Sequence, residues 1–111
     1  MPKVQRVALL SNPQSSASIA ELPRIRAFCA EHPHIFHYEV EDAGQIGEAM
    51  RSIARVRPTL LAINGEPGTV KAALEALARF GSVLPPVEVI AGGRVDEVRR
   101  LVERGDRKSV V

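Results

Sequence analysis

Aromatic residues, cysteine and long apolar runs are scarce in this sequence, and each scarcity excludes a class of protein. The 111 residues include no Trp, one Tyr and three Phe, so the core must be built from Val, Leu, Ile and Ala. The single cysteine, Cys29, excludes an internal disulfide and fits a reducing compartment. No apolar run approaches the roughly 20 residues that a membrane helix needs, and the start of the sequence lacks the apolar core of a signal peptide. These absences predict a soluble, cytoplasmic protein with no membrane span.

The charge balance is almost even. Fifteen basic and thirteen acidic residues give a net charge of +2, which is too weak a bias to indicate a nucleic-acid or membrane partner. The basic residues beyond position 93 are interleaved with acidic ones, a mixture typical of a solvated helix face. The length allows one domain with one hydrophobic core. We predict a single domain over residues 1–105 and a flexible tail over 106–111.

Short apolar runs alternate with helical periodicity four times along the chain. The predicted buried strands are Val7–Leu10, Ile35–Val40, Thr59–Ile63 and Val87–Ala91. The predicted helices carry apolar stripes at Leu22–Cys29, Ile46–Ile53, Val70–Leu77 and Val95–Val102. Proline and glycine should bound them: Pro23 belongs in a first turn, while Gly81 and Gly105 end the last two helices. Asp42 and Gln45 resemble a capping box before the second helix.

Four βα units without hairpin signals predict a three-layer α/β/α sandwich around a four-stranded parallel sheet, with right-handed crossovers. Ligands of such sheets bind beyond the carboxyl ends of the strands. Asn12, the segment 64–69 and the pair Gly92–Gly93 should therefore share one edge of the sheet.

The segment 64–70, Asn-Gly-Glu-Pro-Gly-Thr-Val, carries the strongest site signal. Glycines let the backbone approach a ligand, and the N–H groups at the start of a helix can bind phosphate. Thr69 adds a hydroxyl. A plain strand-to-helix turn would use the same residue types, so spacing alone leaves both interpretations open.

Three motifs together resemble the diacylglycerol kinases, sphingosine kinases and bacterial lipid kinases. The Gly-Gly-Asp-Gly-Thr of those families aligns without a gap on Gly65–Thr69, and their Asn-Pro-x-Ser-Gly aligns on residues 12–16. Their later Pro-Ala-Gly-Thr-x-Asn-Asp can be laid over residues 90–96. The order and spacing cover roughly residues 3–100. The resemblance implies the first domain of lipid kinases and NAD kinases, strand order 2-1-3-4, and binding of ATP with Mg²⁺.

The resemblance also implies which residues would bind the nucleotide. Matched to the motifs, they are Asn12, Ser15, Gly65, Glu66, Gly68, Thr69 and Gly92. Several motif positions are altered. Pro67 replaces the motif aspartate, and Glu66 brings a negative side chain where the families have glycine. Gly93 and Val95 stand at the Thr and Asn of the third motif.

These departures predict impaired phosphoryl transfer, because Pro67 offers neither a carboxylate nor an N–H group. The families also have a second, β-rich domain that contributes the lipid site, and the sequence contains no counterpart of it. We expect no catalytic residue in this chain, and predict a nucleotide-binding pseudoenzyme. Glu66 standing in for the aspartate as a metal ligand is an alternative.

Two other functions remain open at this point. The chain could be a non-enzymatic interaction module that binds a second chain or forms a homodimer. It could also be another small α/β protein of flavodoxin type, although its loops lack aromatic residues to stack on a flavin.

Three histidines, His32, His34 and His37, lie close together with Glu39. In an extended segment His37 and Glu39 share a face with Ile35 while His34 points to the other, so the ligands of a metal site would not converge. Cys29 lies on an apolar stripe, and is expected to be a small buried hydrophobe.

Overall fold

The described part of the chain forms four β-strands and four α-helices in strict alternation. The computed structural model describes residues 5–80, 85–90 and 93–108. The strands are β1 (Val7–Asn12), β2 (Ile35–Glu39), β3 (Leu60–Gly65) and β4 (Val87–Ile90). The helices are α1 (Ser16–Ala30), α2 (Ile46–Val56), α3 (Pro67–Phe80) and α4 (Val95–Lys108), with a 3₁₀ turn at Ala43–Gln45 before α2.

The sheet is parallel throughout and its order is β2-β1-β3-β4. This confirms the predicted fold class and strand order. In the register, Ser11 of β1 lies opposite Glu39 of β2 and Asn64 of β3, and Asn64 lies opposite Ile90 of β4. The ends of β1, β3 and β4 therefore share one edge of the sheet. In the described ranges, no helix has the length and apolar character needed to cross a membrane.

Alternation along β1 sends its side chains into two separate cores. Val7 and Leu9 pack with Ile25 and Phe28 of α1 and Val98 of α4. Ala8 and Leu10 pack on the opposite face, with residues of α2 and α3 that include Met50, Ile53 and Leu77. Both faces are covered, which explains why β1 and β3 read as continuous apolar runs.

Helix α1 starts earlier than its apolar stripe indicated. It begins at Ser16, with Ser15 as N-cap, so Pro23 lies in the helix interior and its assignment to a first turn is wrong. Proline removes the N–H that would bond to the carbonyl of Ile19. Ile19, whose carbonyl oxygen loses this hydrogen bond, is 51% exposed. The polar half of α1 gave no periodic signal because its residues are mostly exposed.

Two further helix boundaries differ from the sequence predictions. Helix α3 begins at Pro67 rather than near Val70, since proline suits the first helical position. Helix α4 continues to Lys108, so the prediction that Gly105 ends it is wrong; glycine weakens a helix by about 1 kcal/mol without necessarily stopping it. The proposed stop at Gly81 and the strand end at Ala91 lie outside the described residues.

The predicted capping box is confirmed. Asp42 accepts a hydrogen bond from the Gly44 N–H at 2.8 Å, and the side chain of Gln45 reaches back to the Asp42 N–H at 3.3 Å. At the other end of α2, Arg57 takes a left-handed conformation with φ of 54°. The Arg6 guanidinium donates to the carbonyl oxygens of Val56 and Arg57 at 3.2 and 2.9 Å. The end of α2 is thereby tied to the residue that precedes β1.

Candidate functional site

A pocket of about 420 Å³ opens at the carboxyl ends of β1, β3 and β4. This is the edge where ligands of open parallel sheets bind, and the volume lies within the range of small-molecule sites. Residues from three connections line it: Gln14, Ser15, Ser18, Asn64, Gly65, Glu66, Pro67, Val70, Val89, Ile90 and Gly93. Gln14, Ser15 and Ser18 bring polar groups from the α1 side and Glu66 brings a carboxylate directly before α3, while the apolar side chains come from α3 and β4.

The tip of β1 is tied to α3 by buried hydrogen bonds. The amide of Asn12 donates to the Thr69 hydroxyl at 2.9 Å, and Gln14 donates to Asn12 Oδ1 at 2.7 Å. Asn12 and Thr69 are 5% and 6% exposed. Both are predicted to bind nucleotide, and this stays a prediction. Neither belongs to the pocket lining, and their hydrogen bond joins the end of β1 to the first turn of α3.

The two glycines of the segment 64–70, Gly65 and Gly68, have different surroundings. A Cβ on Gly65 would lie 2.9 Å from Thr69 Cγ2, so this position needs glycine for packing against Thr69. Gly65 also lines the pocket. Gly68 lies in the first turn of α3, away from the pocket lining, and a Cβ there would meet nothing within 4 Å. Only the first glycine shapes the site.

The β3–α3 connection is a single residue, Glu66, between Gly65 and Pro67. The carbonyl oxygen of Glu66 accepts the N–H groups of Thr69 and Val70 at 2.9 and 3.1 Å. Glu66 and Pro67 are exposed and line the pocket. The carboxylate and the ring that replaced the motif residues therefore lie at the pocket itself.

Ser15 and Ser18 form the polar wall at the start of α1. Ser15 Oγ accepts the Ser18 N–H at 3.1 Å, and the two hydroxyl oxygens lie 2.8 Å apart. Ser15 thus caps the helix and lines the pocket at once. The sequence pointed to Ser15 but missed Ser18, although a spacing of three residues places both on one helix face.

Gly93 closes the pocket floor from the β4–α4 side. Its φ is +65°, and a Cβ on it would lie 2.7 Å from Ser18 Cβ and 3.2 Å from Asn64 Oδ1. Glycine is required here both by conformation and by space. The sequence placed Gly93 at this edge of the sheet and also matched it to a threonine of the third motif, but did not include it among the nucleotide-binding residues. Gly92, expected to bind nucleotide, lies outside the described residues.

A chain of polar side chains runs from the pocket to the outer strand β2. Asn64, 2% exposed, donates to Ser11 Oγ at 3.4 Å, and Ser11 Oγ lies 2.8 Å from His37 Nε2. His37 Nδ1 lies 3.8 Å from Glu39, which accepts two hydrogen bonds from Arg26 at 2.6 and 2.7 Å. These groups share the α1 face of the sheet, as alternation predicted for His37 and Glu39.

Burial lowers the pKa of His37; the nearby Glu39 raises it and Arg26 lowers it again. The hydrogen bond from Arg26 is the main cause that lowers the pKa of Glu39. Serine, histidine and glutamate in this order resemble a hydrolytic triad, but Ser11 is 0% exposed and out of reach of a substrate. Among the described residues, no group of three or more His, Cys, Asp or Glu is arranged to hold a metal ion.

Comparison with known proteins gives one consistent answer at the level of fold. No family model matches the sequence, and no curated protein matches it. A crystal structure of a diacylglycerol kinase from Bacillus anthracis strain Sterne superposes with a TM-score of 0.67 over 91% of this chain, at 20% identity. The chain has a diacylglycerol-kinase-like fold.

Two further structures from the same strain, assigned provisionally as diacylglycerol kinases, show the same likeness. They give TM-scores of 0.66 and 0.65 at 18% and 19% identity. The present chain spans 42% of the length of the first two kinases and 39% of the third. The superposed part therefore includes nearly all of this chain and less than half of each kinase.

Proposed function

We propose that this chain is a nucleotide-binding domain of diacylglycerol-kinase type, which binds ATP or ADP in the pocket at the carboxyl edge of its sheet. The observation that carries this proposal is the position of the pocket. It lies between the β1–α1, β3–α3 and β4–α4 connections of a diacylglycerol-kinase-like fold, at the expected ligand edge.

The pocket lining combines apolar side chains with polar groups, and this combination supports a nucleotide as the ligand. Val70, Val89 and Ile90 offer an apolar surface for the faces of a base. Gln14, Ser15 and Asn64 offer amide and hydroxyl groups for the ribose and for the edge of the base. Glu66 is the carboxylate of the lining, and Mg²⁺ in nucleotide sites commonly takes one or two carboxylates together with phosphate oxygens.

We propose further that the isolated chain does not transfer phosphate. Phosphoryl transfer needs positioning, neutralisation of the phosphate charge and a group that orients the acceptor. Among the described residues, the lining brings one carboxylate and no lysine or arginine, and the chain spans 42% of the length of the first diacylglycerol kinase reported above. A second chain could supply the remaining groups. A cytoplasmic location and pseudoenzyme status remain predictions.

Calorimetric titration with Mg-ATP and ADP tests nucleotide binding, and Val89 allows a matched design. Val89 is 50% exposed and lines the pocket, whereas Leu74 is 36% exposed and lies outside the lining. Val89→Trp should fill the pocket and weaken binding at least tenfold, while Leu74→Trp should leave the affinity unchanged. Absence of binding at millimolar nucleotide in the unsubstituted chain would refute the proposal.

An interaction module that keeps the kinase-like fold is the second candidate, favoured by the half-exposed Val89 on β4. Because β4 is an edge strand, a second copy of the chain could pair with it. Sedimentation would show a dimer that dissociates in a Val89→Lys variant. A monomer at all concentrations would exclude this homodimer.

A further inference from the structure

The charge of the pocket wall opposes an anionic ligand. Glu66 lines the pocket and is exposed, and the described lining contains no lysine or arginine. Arg94 follows Gly93 directly but is exposed and lies outside the lining. A polyphosphate placed in the pocket would therefore face a carboxylate without a compensating cationic side chain.

The hydrogen-bond donors that usually hold phosphate are largely engaged elsewhere. Pro67, the first residue of α3, has no N–H group, and the N–H groups of Thr69 and Val70 donate to the Glu66 carbonyl oxygen. On the α1 side, the Ser18 N–H and hydroxyl donate to Ser15 Oγ and to the Ser15 carbonyl oxygen at 3.1 and 3.0 Å. At these two helix starts, the N–H groups of Ser18, Thr69 and Val70 are therefore already engaged within the protein, which leaves fewer donors for a phosphate.

The remainder of the lining suits an uncharged ligand with its own donors. The carboxylate of Glu66 and the amide oxygens of Gln14 and Asn64 are acceptors, and Val70, Val89 and Ile90 form the apolar wall. A nucleoside meets this requirement with its sugar hydroxyls, its amino group and the faces of its base.

We propose that, when no divalent cation is present, the pocket prefers the uncharged nucleoside and each added phosphate weakens binding. This inference rests on the proposed nucleotide-binding function and specifies its ligand class. Glu66 is the specificity-determining residue, because it sets the sign of the charge at the pocket.

The test is a calorimetric series of adenosine, AMP, ADP and ATP, each titrated in the presence of EDTA. We expect affinity to fall from adenosine to ATP by about two- to fivefold at low salt. The loss should shrink between about 0.02 M and 0.3 M salt, since salt screens repulsion between exposed charges. Glu66→Gln, which keeps the size of the side chain, should bring ATP to the affinity of adenosine.

Glu75→Gln is the matched control, because Glu75 is an exposed carboxylate of α3, the helix that follows Glu66, and lies outside the pocket lining. It should keep the unsubstituted order of affinities. ATP binding more tightly than adenosine in EDTA would overturn this inference and leave nucleotide binding intact. Failure of all four compounds to bind at millimolar concentration would instead remove the proposed function, and this inference with it.

Discussion

Cys29 shows how burial controls the reactivity of a single side chain. It is 8% exposed in the core beneath α1, which confirms its expected role as a small hydrophobe. Burial, with a smaller contribution from Glu39, raises the pKa of its thiol from 9.0 to about 11. Only the thiolate reacts.

Labelling of Cys29 by a thiol reagent at pH 8 should therefore be about 100-fold slower in the native protein than in denaturant, from the thiolate fraction alone. Stopped-flow or spectrophotometric labelling measures both rates. Equal rates would show that Cys29 is exposed in solution.

His37 makes stability depend on pH. Its lowered pKa means that the folded chain holds this proton less readily than the unfolded chain. Acidification below the ordinary value of 6.5 therefore favours unfolding, and stability should rise as the pH increases from about 5.5 to 7.5. Glu39, whose pKa is lowered from 4.5, acts in the same direction at lower pH.

Urea unfolding across that range should show a smaller pH dependence in His37→Gln, whose amide can still bond to Ser11. An unchanged pH dependence in this variant would contradict the role given to His37.

Replacing glycine by alanine should have opposite effects on stability at Gly65, the last residue of β3, and at Gly68, in the first turn of α3. Gly65→Ala should lower the free energy of unfolding, because the new methyl group would lie 2.9 Å from Thr69 Cγ2. Gly68→Ala should raise it by up to about 1 kcal/mol, since the position is helical and open. Denaturant melts of the two variants provide the comparison, and a stabilising Gly65→Ala would show that Thr69 can move aside.

At the scale of elements, the end of α2 carries conformational strain at Arg57. A non-glycine residue with φ of 54° is unfavourable, and the helix position after the last turn usually holds glycine. The main-chain carbonyl that accepts from Arg6 would survive a change of side chain.

Arg57→Gly should accordingly stabilise the protein by about 0.5–1 kcal/mol. Arg55→Gly, an exposed change within the last turn of the same helix, should destabilise it by about 1 kcal/mol. Thermal melts in which both variants lose stability would indicate that Arg57 contributes contacts beyond its backbone.

The sequence specified the elements whose apolar patterns were complete. Buried runs in β1 and β3 and the stripe of α2 located those elements, and alternation placed His37 and Glu39 on one face. The start of α1 was not predicted, because the first half of this helix is polar and buries few apolar side chains. Pro23 also made a helix that begins before it improbable from the sequence. Glycine motifs indicated the pocket edge, whereas Ser18 and Val89 join the pocket lining only through tertiary packing. Spacing cannot distinguish Gly65, which touches Thr69, from Gly68, which touches nothing.

At the scale of the whole molecule, two cores share one sheet. Leu9 and Leu10 are both 0% exposed and belong to opposite cores. Because one strand supports both cores, we expect a single cooperative transition.

Leu9→Ala and Leu10→Ala should each lower the free energy of unfolding by about 2–5 kcal/mol, a large part of the about 5–15 kcal/mol typical of a domain. Circular dichroism and near-ultraviolet absorbance should report coincident transitions in both variants. Separate transitions would mean that the two helical layers unfold independently.

The central place of β1 in the sheet also sets the timing of folding during synthesis. Its partner β3 begins at Leu60, about 50 residues later, so the ribosome must release most of the chain before β1 can be covered on both edges. At a synthesis rate of about 5–20 residues per second, the edge of the apolar run Val7–Leu10 that pairs with β3 stays uncovered for several seconds. A nascent chain of this protein should therefore need chaperone protection more than the finished domain does.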